Sequence, residues 1–471
     1  KGRQSTRPQD ICRGSVHFQM KSKIKRGMQM SDSHDSKMTQ SRRDFFKVAG
    51  LGAGSAAILA SLNQAAFAKG TEPVIIGAPL PLTGVAAADG IEFRNGLEMA
   101  ADEINSIGGI LGQPIKVVFE DTQSGGDDLI SSAGQRLVDR GNANALISGY
   151  NFGSQTVLQG IAADASLIYM HSDTASAHNA LIKSDPQKYW QSFMYNPSEE
   201  FYGIGFLDFV KGIEDSGEFK PANKKIAVIT GPITYSIKIA NAIKENAAKY
   251  GYEISLYETV QAPISQWGPT LAKLRADPPG MIAVTHFFPQ DQAQFMLQFM
   301  ENPTNSLIYM QYGASLGAFR DIAGKASEGV LYATTIGALQ DDMGKKFAEA
   351  YTARFGPTSS PNSGGQTYSA LYMYALAASL AGGPGKAYED KQNRVIAERL
   401  KSAIYRSRIG AIHFDLTTQS AYSYPTQTDD PSLGMPHIFS QIKSKSEPGQ
   451  IIAPKPYNVG KFERPSWMKK A

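Results

Sequence analysis

Short apolar runs alternate with amphipathic stretches along the middle of this chain. The runs VIIGAPL (74–80) and IKVVFED (115–121) are rich in β-branched residues and have the length of strands. Between them, apolar residues recur every three or four positions over 93–104, which predicts a helix that ends before Gly108 and Gly109. The pattern therefore indicates a strand–helix–strand unit.

The same alternation continues to residue 170 and restarts at Ile226. In the first half it predicts strands at ALISG and LIYM and helices at DLISSAGQRLVDR and SQTVLQGIAADA, the former with Asp127 as its N-cap. In the second half it predicts strands at IAVIT, YEISLYE, MIAVT and LIYMQ, with helices between them. Strands that alternate with helices form parallel sheets covered on both faces. Two such units predict an α/β protein with two lobes of similar fold.

The remaining stretches are less regular. The sequence YNPSEEFYG (195–203) and residues 328–337 are expected to cross between the lobes. Residues 345–406 are predicted to be helix-rich without strands of their own, and residues 417–471, rich in Pro, Ser and Gly, to form an ordered but irregular tail.

The first 68 residues differ in charge from the rest of the chain. They hold 12 Lys and Arg against 4 Asp and Glu, so the overall net charge of +4 hides a net acidic remainder. A nucleic-acid-binding protein would carry its basic surface on the folded part, so we expect no nucleic-acid partner.

An export signal explains this basic segment. A weakly apolar stretch, VAGLGAGSAAILASLNQAAFA, ends in the small residues that a signal peptidase reads. The residues before it resemble a twin-arginine signal at Ser41, Arg42, Arg43, Phe45 and Lys47. The alternative is a short amphipathic helix with chance arginines.

Such a signal predicts a soluble protein of the bacterial periplasm that begins near Lys69. The one cysteine, Cys12, would be removed, which leaves no thiol for a disulfide or a lipid anchor.

Polar and aromatic residues follow the predicted strands, where ligands bind in open α/β sheets. Gly153 and Ser154 lie at a helix entry, whose backbone N–H groups favour an anion, and Ser172 and Thr174 supply hydroxyls nearby. These residues suit a carboxylate or an amide oxygen; the alternative is plain helix capping. The large aromatic residues at such positions are Tyr150, Phe152, Tyr235, Phe287, Phe288 and Tyr312. They predict an apolar pocket, unless they only pack at the sheet ends.

Four stretches make the chain similar to the leucine/isoleucine/valine-binding protein family. They are VIIGAPLPLTG, INSIGGILGQPIKVVFEDTQS, AGQRLVDRGNANALISG and LIYMHSDTAS, and Gly-Gly-Ile-x-Gly at 108–112 is a specific marker. The likeness covers nearly all of residues 72–440 and implies a type I periplasmic binding protein, with two doubly wound lobes joined by three hinge crossovers.

The resemblance also implies where the lobes lie in the chain. We expect residues 1–68 to form the extension and signal peptide. Lobe 1 would combine 69–196 with 336–434, and lobe 2 would combine 197–335 with 435–471 and the C-terminal tail.

The family's ligand site can be placed on matching positions. Its α-carboxylate site falls on Gly153 or Ser154, Ser172 and Thr174. Its aromatic cover falls on Tyr235, and a pocket residue of the second lobe falls on Phe287.

One position departs from the family's amino-acid binders. They place an acid after the last strand of the second lobe, where this chain has Tyr312. A buried ammonium without a carboxylate is costly. Either Asp173 supplies the charge from the first lobe, or the ligand has no ammonium.

Two enzyme interpretations are weaker. His171, Ser172 and Asp173 are adjacent, and successive side chains of an extended segment point to opposite faces, so they do not form a triad. The sequence GASLG (313–317) fits a nucleophile elbow around Ser315, with His413 or His437 as the base. These residues keep a hydrolase open as a minor alternative.

We therefore expect a binding protein, with no enzymatic activity, cofactor or metal. It would capture a small, partly apolar carboxylate or amide, such as an amino acid or an aromatic or aliphatic acid, by closure of its lobes. It would then deliver the ligand to an inner-membrane ABC permease–ATPase complex. The main alternative is a periplasmic ligand sensor of the same fold.

Overall fold

Two β-sheets, each flanked by helices, organise the protein. This computed structural model describes residues 72–151 and 156–469, so the predicted signal peptide lies outside the described residues. The first sheet is parallel throughout, with strand order β2-β1-β3-β4-β5. Its strands are β1 (Val74–Leu80), β2 (Ile115–Asp121), β3 (Ala145–Ile147), β4 (Tyr169–His171) and β5 (Ser192–Met194). The helices between them are α1 (Ala87–Ser106), α2 (Asp127–Asp139), α3 (Val157–Asp164) and α4 (Ser176–Ser184).

The second sheet repeats this plan over the next part of the chain. Its parallel strands are β6 (Lys225–Thr230), β7 (Glu253–Thr259), β8 (Met281–Val284), β9 (Leu307–Gln311) and β10 (Leu331–Thr334). The accompanying helices are α5 (Glu200–Asp215), α6 (Thr234–Asn246), α7 (Gly268–Ala276), α8 (Pro289–Glu301) and α9 (Gly317–Ala323). The inner strands β6, β8 and β9 are mostly apolar and are buried at every position except Lys225, because helices cover both faces of the sheet.

The chain then returns to the first sheet. This part contains the helices α10 (Asp342–Phe355), α11 (Pro361–Leu380) and α12 (Asp390–Ser402). It also contains the short strands β11 (Ile404–Arg406), β12 (Ala411–His413), β13 (Ser423–Tyr424) and β14 (Met435–Pro436). Helix α11 packs along α1, where Thr367 Oγ1 donates to the Phe93 carbonyl at 2.8 Å. Residues from both helices share one apolar core with β1.

The last two strands complete the second sheet. They are β15 (Ile438–Gln441) and β16 (Gln450–Ala453), and the sheet order is β16-β15-β10-β9-β8-β6-β7. Strand β15 pairs antiparallel with β10, and β16 pairs antiparallel with β15. The chain thus passes between the sheets three times: after β5, after β10 and after β14.

The predicted α/β class, with parallel sheets built from alternating strands and helices, is confirmed. Three local predictions are wrong. Helix α2 begins at Asp127 and its N-cap is Gly126, because the chain is already helical at the aspartate. Residues 345–406 contain one strand, β11, which is held by β12. The tail contributes two strands to the second sheet through long-range pairing. The exact lobe boundaries stay a prediction.

Candidate ligand-binding site

A cavity of about 360 Å³ lies where the carboxyl ends of the two sheets face each other. Its lining residues come from both halves of the fold. They are Tyr150, Asn151, Thr156, Ser172, Asp173, Thr174, Ala177, Tyr202, Ile233, Thr234, Tyr235, Phe287, Tyr312 and Ile336. The structure therefore brings seven of the ten predicted site residues together. The other three, Phe152, Gly153 and Ser154, lie outside the described residues.

Asp173 is the one charged residue among the described residues that line this cavity. It follows β4 and is buried. One carboxylate oxygen lies 2.8 Å from His171 Nδ1, and the other accepts from the Asn151 backbone N–H at 3.0 Å. Both oxygens of Asp173 are therefore already paired within the first sheet.

A buried histidine pair extends this contact away from the cavity. His178 Nε2 donates to the Thr418 carbonyl at 2.8 Å, and its Nδ1 lies 3.0 Å from His171 Nε2. Burial and the neighbouring His171 hold the pKa of His178 well below its usual range, so its Nδ1 is an acceptor. Gln159 Nε2 lies 2.6 Å from that nitrogen and donates to it. The sequence did not predict that His171 contacts Asp173 two residues later.

The loop after β4 presents two hydroxyl residues to the cavity. The Ser172 hydroxyl is buried beside Tyr195 and makes no hydrogen bond within 3.5 Å among the described residues. Thr174 Oγ1 donates to the Asp173 carbonyl at 2.7 Å. Its backbone has a φ of +51°, which is uncommon for a β-branched residue. Such conformations occur mostly where the surrounding structure imposes them, often at functional sites.

Aromatic rings from the second sheet cover the other side. Tyr235 and Phe287 meet edge to face with ring centroids 5.3 Å apart, and Tyr202 meets Tyr235 at 6.0 Å. Gln311 Nε2 donates to the Tyr235 hydroxyl at 2.8 Å, so the Tyr235 proton is available to another acceptor. Burial raises the pKa of this phenol well above its usual range, which keeps it protonated.

A buried carboxylate that the sequence did not predict joins the two halves of the site. Asp89, in the first turn of α1, accepts from Tyr150 at 2.5 Å, from Tyr312 at 2.8 Å and from the Ser363 hydroxyl at 2.8 Å. Tyr150 follows β3 in the first sheet, whereas Tyr312 follows β9 in the second. The Asp89–Tyr312 hydrogen bond therefore links the two lobes.

Tyr312 also has an unusual backbone. Its φ of +53° and ψ of −59° lie in a sparsely populated region, at a cost of roughly 1–3 kcal/mol. This conformation lies between the end of β9 and the short 3₁₀ turn Gly313–Ser315.

A wider cavity of about 760 Å³ adjoins the first and shares three of its residues, Tyr150, Phe287 and Tyr312. Asp89 lines this outer cavity, and so does Arg320. The two tyrosines therefore separate the inner cavity from the outer part of the cleft.

The predicted serine–histidine pair of a hydrolase is not formed. The Ser315 hydroxyl is buried and makes no hydrogen bond to the described residues, and neither ring nitrogen of His437 does. Ser315 does precede a helix, α9, as in a nucleophile elbow, but no histidine among the described residues forms a hydrogen bond with its hydroxyl.

Several lining residues were not predicted. Asn151 and Thr234 come shortly after β3 and β6, so their position after a strand could have indicated them. Tyr202 and Ile336 lie beside the chain crossings and carry no local signal.

Within residues 72–151 and 156–469, no helix has the length and apolar character needed to cross a membrane. This part of the chain also holds no group of three His, Cys, Asp or Glu side chains placed to bind a metal ion.

Comparisons with known proteins agree with this architecture. Leu/Ile/Val-binding protein homolog 8 of Brucella suis is 24% identical over 335 residues, which is 69% of this chain and 80% of the relative. A Silicibacter pomeroyi structure assigned to branched-chain amino acid ABC transporters is 61% identical, with a TM-score of 0.82. The match covers 84% of this chain and all of that one.

The substrate-binding protein LivJ of Streptococcus pneumoniae, a branched-chain amino acid transporter component solved with isoleucine, shares the fold. It matches with a TM-score of 0.64 at 18% identity, over 81% of this chain and all of that one. These matches confirm the predicted resemblance and, at the level of the family, the predicted solute-binding class.

The sequence profile described as periplasmic binding protein matches residues 73–421, which is well over half of the chain. Together with the two sheets and the cavity between them, this match shows that the chain belongs to the periplasmic binding protein family.

Proposed function

We propose that this chain is the periplasmic substrate-binding protein of an ABC importer, and that it captures a small, partly apolar ligand between its lobes. The cavity between the carboxyl ends of the two sheets is the observation that carries this proposal. Its size suits a molecule such as an amino acid or a small aromatic or aliphatic acid. The relatives named above bind or transport solutes of this kind.

We propose that the two sides of the cavity bind different parts of the ligand. Ser172 offers a hydroxyl, and Thr174 offers one when its proton turns from the Asp173 carbonyl to the ligand. With the predicted contributions of Gly153 and Ser154, these two residues hold the polar head of the ligand. Tyr235 and Phe287 pack against its apolar part, since buried aromatic surface contributes most of the binding free energy in such pockets. Closure of the lobes then presents the loaded form to a permease–ATPase complex.

Ligand capture can be tested by thermal unfolding with amino acids, aromatic acids and aliphatic amides, isoleucine among them. A ligand at about 100 times its Kd adds roughly 2.7 kcal/mol to the free energy of unfolding. If no member of the panel raises the Tm, the capture of a solute of this class is contradicted.

The polar head is tested by the double variant Ser172→Ala with Thr174→Val. Two lost hydrogen bonds to a carboxylate predict a Kd about 10- to 100-fold higher for whichever panel member binds, measured by titration calorimetry. Ser379→Ala is the matched control, because its hydroxyl donates to the Ala375 carbonyl in α11, away from the cavity. An unchanged Kd in the double variant would show that the polar head lies elsewhere.

Export by the twin-arginine route is part of the same proposal and rests on the sequence of residues 41–47. Replacement of Arg42 and Arg43 by Lys keeps the charge and removes the paired guanidinium groups. We expect the variant to stay in the cytoplasmic fraction, whereas the unaltered chain reaches the periplasm. Equal fractionation of the two chains would contradict this route.

A further inference from the structure

The direction of the hydrogen bonds around Asp89 determines what its neighbours can offer a ligand. A phenol has one proton, and both Tyr150 and Tyr312 give theirs to this carboxylate. Burial and the negative charge of Asp89 raise the pKa of both phenols well above the usual range, so the protons stay in place. Toward the inner cavity, these two oxygens can act only as hydrogen-bond acceptors. A ligand group beside them must therefore be a donor.

The charge of Asp89 has no cationic partner among the described residues. Among the described residues it forms no ion pair within 4.0 Å, although it is buried. Hydroxyl hydrogen bonds compensate only part of the cost of burying a carboxylate, and a nearby cation would compensate more. The described lining of the inner cavity includes no Lys, Arg or His that could serve as that cation.

The aromatic rings of the same cavity also favour a positively charged ligand group. Five rings, those of Tyr150, Tyr202, Tyr235, Phe287 and Tyr312, line about 360 Å³. The faces of aromatic rings attract cations, most strongly where water is excluded. An anion beside Tyr150 and Tyr312 would instead meet two acceptor oxygens and the charge of Asp89 behind them.

Asp173, the carboxylate that lines the inner cavity itself, is less available to a ligand. Asp173 uses one oxygen for His171 and the other for the Asn151 backbone N–H. A ligand cation would have to displace or share these contacts. Asp89 needs no rearrangement, because its tyrosines already face the cavity.

We propose, on the basis of the proposed function, that the Tyr150–Asp89–Tyr312 end of the cavity receives a positively charged nitrogen of the ligand. Asp89 acts as a positioning and charge-balancing group behind the two phenol oxygens, which make the direct contacts. The ligand class is thereby narrowed to molecules with an ammonium group, with amino acids favoured over simple carboxylic acids. Asp89 provides the negative charge that is missing at position 312.

The test compares pairs of probes that differ only in the ammonium group. The pairs are L-leucine with 4-methylpentanoate and L-phenylalanine with 3-phenylpropanoate, and Kd is measured by titration calorimetry on the full-length protein. We expect the unaltered protein to bind the amino acid of at least one pair about 10- to 100-fold more tightly than its des-amino analogue. Equal or tighter binding of the analogues would overturn the inference while leaving ligand capture intact. Failure of all four probes to bind would overturn the inference, and ligand capture would be contradicted as well only if the wider panel also failed to raise the Tm.

The variant Asp89→Asn removes the charge and keeps the shape of the side chain. We expect the ratio of the two affinities within a pair to fall toward one. An equal loss for both members, with the ratio unchanged, would show that Asp89 only holds the lobes together and would overturn the inference. Tyr150→Phe is the second variant, because it removes one acceptor oxygen and leaves the Asp89–Tyr312 bond between the lobes. We expect Tyr150→Phe to lower the ratio of the two affinities within a pair in the same way.

Two control variants complete the design. Glu103, on the same helix α1, accepts from Tyr368 at 2.5 Å and from Tyr372 at 2.8 Å but does not line either cavity. Glu103→Gln should therefore leave both affinities unchanged. Asp173→Asn distinguishes the two carboxylates. If it abolishes the preference for the ammonium and Asp89→Asn does not, the site of the positive charge is at Asp173 and the inference is wrong.

Discussion

At the scale of single residues, His437 shows how burial alone can lower the pKa of a side chain. Its ring lies between Tyr202 and Phe439, with centroids 5.0 and 4.5 Å away, and neither nitrogen has a hydrogen-bond partner among the described residues. Because a charged imidazole would lose its hydration there, burial lowers the pKa of His437 from 6.5 to about 3. The folded protein therefore keeps this histidine neutral.

This histidine predicts a stability loss in mild acid. His437 binds a proton near pH 6.5 in the unfolded chain and only near pH 3 in the folded chain. The stability that the folded protein has while both forms of this histidine are neutral is therefore fully present above pH 6.5 and is lost as the pH falls toward 3. The slope is about 1.4 kcal/mol per pH unit. We expect His437→Leu to reduce the difference between the free energies of unfolding at pH 7 and pH 4.5, measured with urea. A variant with the same pH dependence as the unaltered chain would contradict this account.

Position after a strand was the signal that predicted most of the cavity residues. It indicated Ser172 and Thr174 after β4 and Phe287 after β8, because side chains beyond the carboxyl ends of parallel strands meet at one edge. Asp89 carries no such signal, since it lies inside the first turn of a helix. Its role depends on Ser363 and Tyr312, which only the tertiary fold brings to it.

At the scale of elements, the contact between α1 and α11 depends on glycine. A methyl group at Gly96 would overlap the carbonyl oxygen of Gly364 and would lie 2.6 Å from Thr367 Oγ1. The two helices can approach this closely only because neither carries a side chain at the crossing. Asp89 on α1 and Ser363 on α11 are held together by the same contact.

A pair of glycine substitutions tests that contact. Gly96→Ala is expected to lower the free energy of unfolding by about 1–3 kcal/mol, because the helices must separate to admit the methyl group. Gly212→Ala is the control, since a methyl group there, in α5, meets nothing within 4 Å. It should instead raise stability by about 0.5–1 kcal/mol through helix propensity. Denaturant unfolding measures the free energy of unfolding of both variants. Equal changes in the two would show that the close approach of α1 and α11 does not determine the effect of a methyl group at Gly96.

Elements were predicted best where the chain is apolar on both faces. Strands β1 and β9 have the predicted bounds, because each is a largely apolar, buried run. The edge strand β2 also has the predicted bounds, although it carries Lys116, Glu120 and Asp121. Strand β15 was missed because its pairing depends on β10, which lies about a hundred residues earlier in the chain, and β16 was missed with it because it pairs with β15. Local patterns carry no information about such partners.

At the scale of the whole molecule, direct hydrogen bonds join the lobes across the cleft. The Asp89–Tyr312 bond at 2.8 Å connects α1 with the end of β9. A hydrogen bond to a charged group contributes about 1.5–3 kcal/mol, so this bond alone can shift an equilibrium between open and closed forms by about 10- to 100-fold. The arrangement described here therefore corresponds to lobes in contact.

Removal of that bond is expected to favour separation of the lobes. Tyr312→Phe keeps the ring and loses the donor to Asp89, so the ligand-free variant should show a larger radius of gyration in solution X-ray scattering than the unaltered chain. Tyr372→Phe removes a phenol from Glu103 within lobe 1 and should leave the radius unchanged. Identical scattering of Tyr312→Phe and the unaltered chain would show that other contacts keep the lobes together.

The two-lobe plan was predictable because the strand–helix rhythm stops and restarts along the chain. The chain passes between the sheets after β5 and after β10, within the segments 195–203 and 328–337 that were expected to cross. The third crossing, after β14, carries no such local signal, since crossovers of this kind share composition with ordinary loops. The division of the chain between the lobes therefore rests on which sheet each strand joins.

The packing of α11 on α1 also has a consequence for biosynthesis. The hydrogen bond from Thr367 to Phe93 joins residues 274 positions apart. At translation rates of about 5–20 residues per second, the apolar face of α1 stays uncovered for roughly 14–55 s, until α11 has been synthesised. During that interval the first sheet is an incomplete, aggregation-prone intermediate on the ribosome. The nascent chain should therefore depend on chaperones until α11 has emerged.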